Sequence, residues 1–369
     1  MKQIQDAYIV SATRLPIGKS GRGYYKNTRP DEMLVRALQA AVAQAPGLDP
    51  AAIQDAIIGC AFPEGEQGMN VARSAVVMAG LPVSVGGVTI NRYCASGVTA
   101  IQMAADRIRT GEADVMIAGG VESMSMVPMG GNKPSFAPMA FEKDENVGIA
   151  YGMGLTAEKV AEQWKIGRDA QDAFALQSHQ RALAAIAAGE FRDEMTPFEI
   201  IERFPNLLDG TITEKRRTVE VDEGPRADTS IEGLGKLKPV FAAKGSVTAG
   251  NSSQITDGAA WLALADEEAV AQYDLKPIAR ILDTQWAGLD PEQMGLGPVY
   301  AASPILRRHG LVLNDLDLWE INEAFAAQVL GCLAAWQDDE FCRTELGAPG
   351  AFGALDPEKL NIDGGAIAL

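Results

Sequence analysis

The chain has 369 residues, 47% of them apolar and 22% charged, which is enough to bury a substantial core and to build two domains or a fused pair. Its 32 Lys and Arg against 49 Asp and Glu give a formal net charge of −17, which argues against nucleic acid or an anionic membrane surface as the main partner. Any polyanionic ligand then needs a local basic patch. Four cysteines, Cys60, Cys94, Cys332 and Cys342, are too few for a disulfide framework, and neither they nor the two histidines, His179 and His309, stand at metal-ligand spacing, so no metal is expected. There is no GxGxxG after a strand and no phosphate-binding GxxxxGK[ST], so no tightly bound nucleotide cofactor is expected either. The N-terminus lacks the pattern of a secretory leader and no apolar run reaches membrane length, which reads as a cytoplasmic chain without a membrane span.

In chain order, MKQIQDAYIVSAT runs into an apolar strand. A helical pattern follows in Asp31–Ala45 and stops near Gly47, and LDPAAIQDAIIGCAF turns into another apolar strand. GGVTINRYCASG leads from strand to helix, with Val98, Ile101, Ala104, Ala105 and Ile108 at helical spacing, and TGEADVMIAGGVES supplies a buried strand. Residues 121–250 contain Gly, Pro and Met-rich loops, a long helical stretch and a charged loop, and read as an inserted loop domain. SPILRRHGLVLNDLDLWEINEAF then repeats helix, glycine stop, Asp-containing turn and apolar strand, and KLNIDGGAIAL reads as the matching further strand. The pattern predicts two related α/β halves with covered sheets, at 1–120 and 251–369, separated by the insertion at 121–250.

Cys94 stands out within this pattern. It lies at a strand-to-helix turn, where free N–H groups and the positive end of the helix dipole favour a thiolate. Ala95, Ser96 and Gly97 leave room for a substrate carbonyl. Cys60 and Cys332 read as small core residues.

The motifs NRYCASG, GGVESMS, MGLTAE, VTAGNSSQITDGAA, NEAFAAQ and NIDGGAIAL, in this order, resemble those of the thiolases over nearly the whole chain. The resemblance implies a thiolase-like mixed α/β fold of duplicated halves with an inserted loop domain. It implies Cys94 as the acyl-accepting nucleophile and Asn322 as the residue holding an oxyanion-hole water. A helix N-cap is the other reading of Asn322. Coenzyme A is implied as substrate and not as a bound cofactor, with Met153, Arg226, Phe241, Ala249, Ser253 and Phe325 placed by motif along its nucleotide and pantetheine parts. A cluster of Lys215, Arg216, Arg217, Arg226, Lys236 and Lys238 in and beside one loop offers a separate reason to expect phosphates there, although interleaved acids also fit a solvated loop.

The implied reaction is cleavage of 3-ketoacyl-CoA by CoA to acetyl-CoA and a shortened acyl-CoA, as in fatty-acid β-oxidation. Gly152-Met153-Gly154 stands where the biosynthetic type has His-Met-Gly, which favours the degradative class over an acetoacetyl-CoA thiolase. The resemblance further implies a homodimer or homotetramer and admits a partner enzyme of fatty-acid oxidation. The family's Gly-His-Pro and second cysteine follow GGAIAL, and these 369 residues close on AIAL. The expectation is therefore a second half lacking its C-terminal end and, with it, the general base. A non-catalytic CoA-binding or subunit-interaction protein is the alternative if the chain truly ends at Leu369.

Overall fold

The computed structural model describes residues 4–369 and divides into two compact units. The first takes the chain up to Pro134 together with Phe191–Glu223 and Ile255–Leu282; the second takes Ser135–Glu190, Gly224–Gln254 and Asp283–Leu369.

The first unit is built on a seven-stranded mixed sheet. Its strands are β1 (Ala7–Arg14), β2 (Gly18–Lys19), β3 (Asp55–Gly59), β4 (Val88–Ile90) and β5 (Val115–Ser123), joined by β8 (Thr256–Ala265) and β9 (Ala279–Ile281); β6 (Phe198–Pro205) and β7 (Ile212–Val219) form a separate hairpin. The order is β4-β3-β5-β8-β1-β9, with β2 beside β8. β3 runs parallel to β4 and β5, whereas β8 is antiparallel to β5 and β1.

Alternation along the strands sends successive side chains to opposite faces. Ile57, Met116 and Ala118 pack with Ala100, Ala104, Ala105 and Ile108 of the helix Ser96–Arg109. Ala56, Ile58, Val115 and Ile117 pack on the other side with Met33, Leu34 and Leu38 of the helix Pro30–Ala43. Each fully buried aliphatic side chain contributes about 1.5–3 kcal/mol, so covering both faces is what holds the sheet. Trp261 of β8 is fully buried and donates its indole N–H to the Leu34 carbonyl at 2.9 Å, which ties the sheet to that helix.

The parallel register aligns Ile90, Gly59 and Gly120. The residues just past them, at the carboxyl ends of β4 and β3 and near that of β5, therefore emerge together, the place where open α/β sheets carry their sites.

The second unit is helical. Helices Met153–Gln163, Arg168–Ala188, Gly297–His309 and Ala326–Gln337 surround a core in which Val160, Leu296, Val299, Leu306, Val329, Trp319 and Trp336 meet. The helix Gly297–His309 stops at Gly310, whose φ of +66° suits a residue without Cβ.

Three expectations change here. The boundaries at 120 and 250 do not match the compact units, because β8 and β9 cross back to complete the first sheet and the β6–β7 hairpin stays with it. Apart from the β6–β7 hairpin of the first unit, no second sheet forms among the described residues: DLWEINEAF and KLNIDGGAIAL pair only through an isolated parallel bridge between Trp319 and Leu360. The closing AIAL is not a strand, because its backbone groups have other partners. Ile367 N–H donates to Glu323, the Ala366 carbonyl accepts from Gln254 N–H, and the Ala368 carbonyl accepts from the Gln254 side chain at 2.8 Å. Val98 lies in the helix as its spacing predicts but faces outward, 69% exposed, while Thr99, Ala100 and Gln102 of the same helix are buried.

Candidate active site

At the end of β4 the chain makes a tight turn before the helix Ser96–Arg109. Tyr93 adopts a φ of +48°, a left-handed conformation that costs free energy in a residue with a side chain. It is held by local bonds. Asn91 Oδ1 accepts from Tyr93 N–H at 2.8 Å, Ser96 Oγ donates to the Tyr93 carbonyl at 2.6 Å, and Ser96 Oγ accepts from Arg92 N–H at 2.7 Å. The following residue, Cys94, is exposed as a residue, whereas Cys60, Cys332 and Cys342 are buried. Cys60 and Cys332 thus take the core positions expected of them.

Gly59 explains how the helix comes so close. A Cβ built there would lie 2.5 Å from the Ser96 carbonyl carbon and 2.6 Å from Gly97 N. Both neighbours are backbone, so the helix itself would have to shift. Gly59→Ala is expected to push the first turn of the helix away, costing about 1–3 kcal/mol and displacing Cys94. The check is a thermal melt together with the rate of Cys94 alkylation, and wild-type values for both would show that the turn has slack.

The surroundings of Cys94 work against the expected thiolate. Although the residue presents surface to solvent, crowding around the thiol pushes its pKa up from the ordinary value, and the nearby Glu122 carboxylate pushes in the same direction. The helix N-terminus favours the thiolate, but burial and the anion outweigh it.

In the second unit the motif residues gather around the start of the helix Met153–Gln163 and the start of the helix Ala326–Gln337. Gly154 lets the ring of Phe241 lie against the backbone, since a Cβ there would sit 2.1 Å from two of its ring carbons. Phe241 and Phe325 meet edge to face with centroids 5.9 Å apart. Met153 is the first residue of its helix. VTAGNSS is knitted onto NEAFAAQ: Ser253 N–H donates to the Ala324 carbonyl and Ala326 N–H to the Asn251 carbonyl, both at 2.9 Å, and Ser252 bridges to Phe325. Asn251 is fully buried, donates to Asp172 at 2.9 Å and accepts from Thr248 N–H at 2.8 Å, so this stretch is an anchored platform and not an ordinary turn. Ala249 is exposed on it.

Asn322 is exposed and does not cap the helix that follows, whose N-cap is Phe325. Its neighbour Glu323 is the buried member of NEAF. It accepts from Ser178 Oγ at 2.6 Å, Asn361 Nδ2 at 2.9 Å and Ile367 N–H at 3.2 Å, and burial raises its pKa against those bonds. Glu323 thereby fixes the loop that presents Asn322. Arg226 is exposed and anchored through its backbone, its N–H lying 3.3 Å from His179 Nδ1, while its side chain stands 3.7 Å from Asp228.

The basic cluster is not one loop. Lys215, Arg216 and Arg217 lie on β7 of the first unit, where Arg216 pairs with Glu199 and Glu214 at 3.0 Å each; Arg226, Lys236 and Lys238 lie in the second unit, where Lys236 pairs with Glu232 at 2.6 Å.

The family models decide what this constellation belongs to. Residues 7–268 match the thiolase N-terminal domain and residues 275–369 the thiolase C-terminal domain. The chain belongs to the thiolase family. It is 42% identical over 368 residues to the 3-ketoacyl-CoA thiolase of Bacillus subtilis (strain 168), covering 99% of this chain and 88% of that one. It is 43% identical over 379 residues to the beta-ketoadipyl-CoA thiolase of Pseudomonas aeruginosa, with the same coverage. Among solved structures it is similar to the Bacillus anthracis acetyl-CoA acetyltransferase, with a TM-score of 0.83, 38% identity, and coverage of 100% of this chain and 88% of that one. The human mitochondrial 3-ketoacyl-CoA thiolase in complex with CoA gives a TM-score of 0.80 at 34% identity, again covering 100% and 88%.

This is the thiolase fold with a mixed sheet, and the chain is a member of a family of CoA-linked acyltransferases. The chain spans 88% of the length of each of these relatives. Among the described residues no helix is long and apolar enough to cross a membrane.

Two carboxylates escaped the sequence reading. Glu122 in GGVES and Glu323 in NEAF each sit inside an apolar run, and a carboxylate in such a run requires buried partners. That was the available signal.

Proposed function

We propose that the chain cleaves 3-ketoacyl-CoA with CoA, releasing acetyl-CoA and a shortened acyl-CoA. The observation that carries the reading is an exposed cysteine on a strained strand-to-helix turn, in a chain of the thiolase family. Cys94 sulfur, once deprotonated, attacks the 3-keto carbon of the substrate. The C2–C3 bond breaks and its electron pair passes into the thioester as an enolate, which takes a proton to leave as acetyl-CoA. The acyl group remains on Cys94 as a thioester until the CoA thiol attacks it, restoring the cysteine. Asn322, through a water, supports the charge on oxygen. Met153, Phe241 and Phe325 supply an apolar wall for the pantetheine and acyl parts, with Ala249 and Ser253 along the same platform and Arg226 toward the nucleotide end.

Neither histidine is assigned the proton of Cys94. His179 Nδ1 accepts from the Arg226 N–H at 3.3 Å, and His309 is paired with Asp283 at 3.0 Å.

Gly152 supports the degradative class. A Cβ placed there would meet nothing within 4 Å, so the side chain found in the biosynthetic type is replaced by open space. A second reading comes from the relative named a beta-ketoadipyl-CoA thiolase, whose acyl group carries a terminal carboxylate. The assay is CoA-dependent cleavage of acetoacetyl-CoA, a medium-chain 3-ketoacyl-CoA and 3-ketoadipyl-CoA. The medium-chain substrate is expected to give the highest kcat/KM; a preference for acetoacetyl-CoA would point to the biosynthetic class, and one for 3-ketoadipyl-CoA to the second reading.

The reading carries with it a cytoplasmic location and a homo-oligomer. β4 is the edge strand of the sheet, and Val88 on it is 37% exposed, with Val83 nearby in sequence at 83%. An apolar edge strand seeks a partner. Light scattering at micromolar concentration is expected to give a dimer or tetramer, and a monomer would count against the assembly. A partner enzyme of fatty-acid oxidation remains part of the same proposal.

A further inference from the structure

Behind the nucleophile turn, the first unit carries a buried carboxylate that the acyl-transfer chemistry does not use. Glu122, near the end of β5, accepts from Ala61 N–H at 2.7 Å and from the side-chain amide of Gln67, and the Cys60 thiol lies 3.9 Å from its Oε1. Gln67 is fully buried and is itself fixed, donating to the Phe62 carbonyl and accepting from Ser123 N–H, both at 2.9 Å. Ala61, held by Glu122 through its N–H, reaches on to the turn through its carbonyl: Asn91 Nδ2 donates to the Ala61 carbonyl at 2.9 Å, and Asn91 Oδ1 accepts from the N–H of Tyr93 at 2.8 Å. The ring of Tyr93 packs on Phe62 with centroids 6.0 Å apart. A continuous chain of bonds thus runs from Glu122 through Ala61 and Asn91 to the strained residue that precedes Cys94.

We propose that Glu122 is a positioning residue of the nucleophile turn, which through Ala61 and Asn91 locks the Tyr93–Cys94 backbone for attack. The proposal rests on Cys94 being the nucleophile of the acyl transfer argued above. A strained turn persists only where its surroundings over-determine it, and this relay is what does so from the sheet side. The carboxylate also acts at a distance. The titratable groups that face it are Cys60 from the end of β3 and Cys94 from the turn, while Asp257 on the neighbouring β8 spends its carboxylate on Ser125. Burial and Glu122 together push the Cys60 thiol up to about 12, and both also raise Cys94. One group therefore fixes where the sulfur stands and, after burial, adds to what disfavours its thiolate.

The test uses the full chain with Glu122→Gln, which keeps the shape and an acceptor oxygen but removes the charge, and Asn91→Ala, which cuts the relay but leaves the charge. Asn91 is exposed, so its replacement spares the core and keeps the proposal testable if Glu122→Gln fails to fold. Two quantities are read: kcat and KM for 3-ketoacyl-CoA cleavage, and the pH dependence of Cys94 alkylation by iodoacetamide, followed by peptide mass. Both variants are expected to lose about tenfold or more in kcat with KM within about twofold. Glu122→Gln moves the alkylation midpoint to lower pH, and Asn91→Ala leaves it in place. Wild-type kcat in both variants, or an unmoved midpoint in Glu122→Gln, overturns the proposal. If the unmodified chain cleaves no 3-ketoacyl-CoA, the acyl-transfer reading fails, and Glu122 is still judged on the alkylation profile.

Discussion

Cys94→Ser is expected to abolish acyl transfer, with kcat falling by about 10⁴-fold or more, the scale seen when a covalent nucleophile is removed. The hydroxyl would sit where the sulfur does, at an exposed position whose turn is held by Asn91 and Ser96, so the fold should not notice the exchange. A melting temperature close to wild type is therefore part of the expectation. Steady-state cleavage of a 3-ketoacyl-CoA checks the first half and a thermal melt the second. Substantial residual turnover with an unchanged fold would assign the nucleophile elsewhere. Cys60→Ser is the control, since that thiol is 1% exposed and faces Glu122.

Asn322→Ala is the second large effect. Asn322 is exposed, and among the described residues no hydrogen bond holds its side chain, so it contributes little to stability. Losing an oxyanion donor, direct or through water, lowers kcat by about 10² to 10³. A drop of that size with an unchanged melting temperature supports the oxyanion role. A lowered melting temperature with modest loss of kcat would instead mark it as structural, as expected for its neighbour Glu323, which is 1% exposed and tied to Ser178, Asn361 and Ile367.

Much of this was legible in the sequence. Alternating apolar strands and helices give an α/β chain, and the strand-to-helix turn at Cys94 is visible because apolar β4 ends where small residues open the helix Ser96–Arg109. What stayed hidden is long-range. Nothing local in TDGAAWLALA says that it returns to lie between β5 and β1, so the boundary near residue 250 was drawn through a sheet that the chain later completes. AIAL reads as a strand because four apolar residues follow two glycines, yet its amides and carbonyls are taken by Glu323 and Gln254.

The charge state of Cys94 was hidden for a related reason. Helix position is a local signal and favours the thiolate, whereas burial by the surrounding chain, and after it Glu122 from another strand, opposes it. Conversely, the association of VTAGNSS with NEAFAAQ was carried by motif order alone, and the bonds from Ser253 to Ala324 and Ala326 to Asn251 supply its physical basis.

The central claim is that the acyl group passes through Cys94. Incubating the chain with an acyl-CoA in the absence of free CoA, then quenching in acid and mapping peptides by mass, tests it most directly. The account predicts an acyl adduct on the peptide containing Cys94, lost on adding CoA and absent in Cys94→Ser. An adduct on Cys60, Cys332 or Cys342, or label retained after Cys94→Ser, would contradict it.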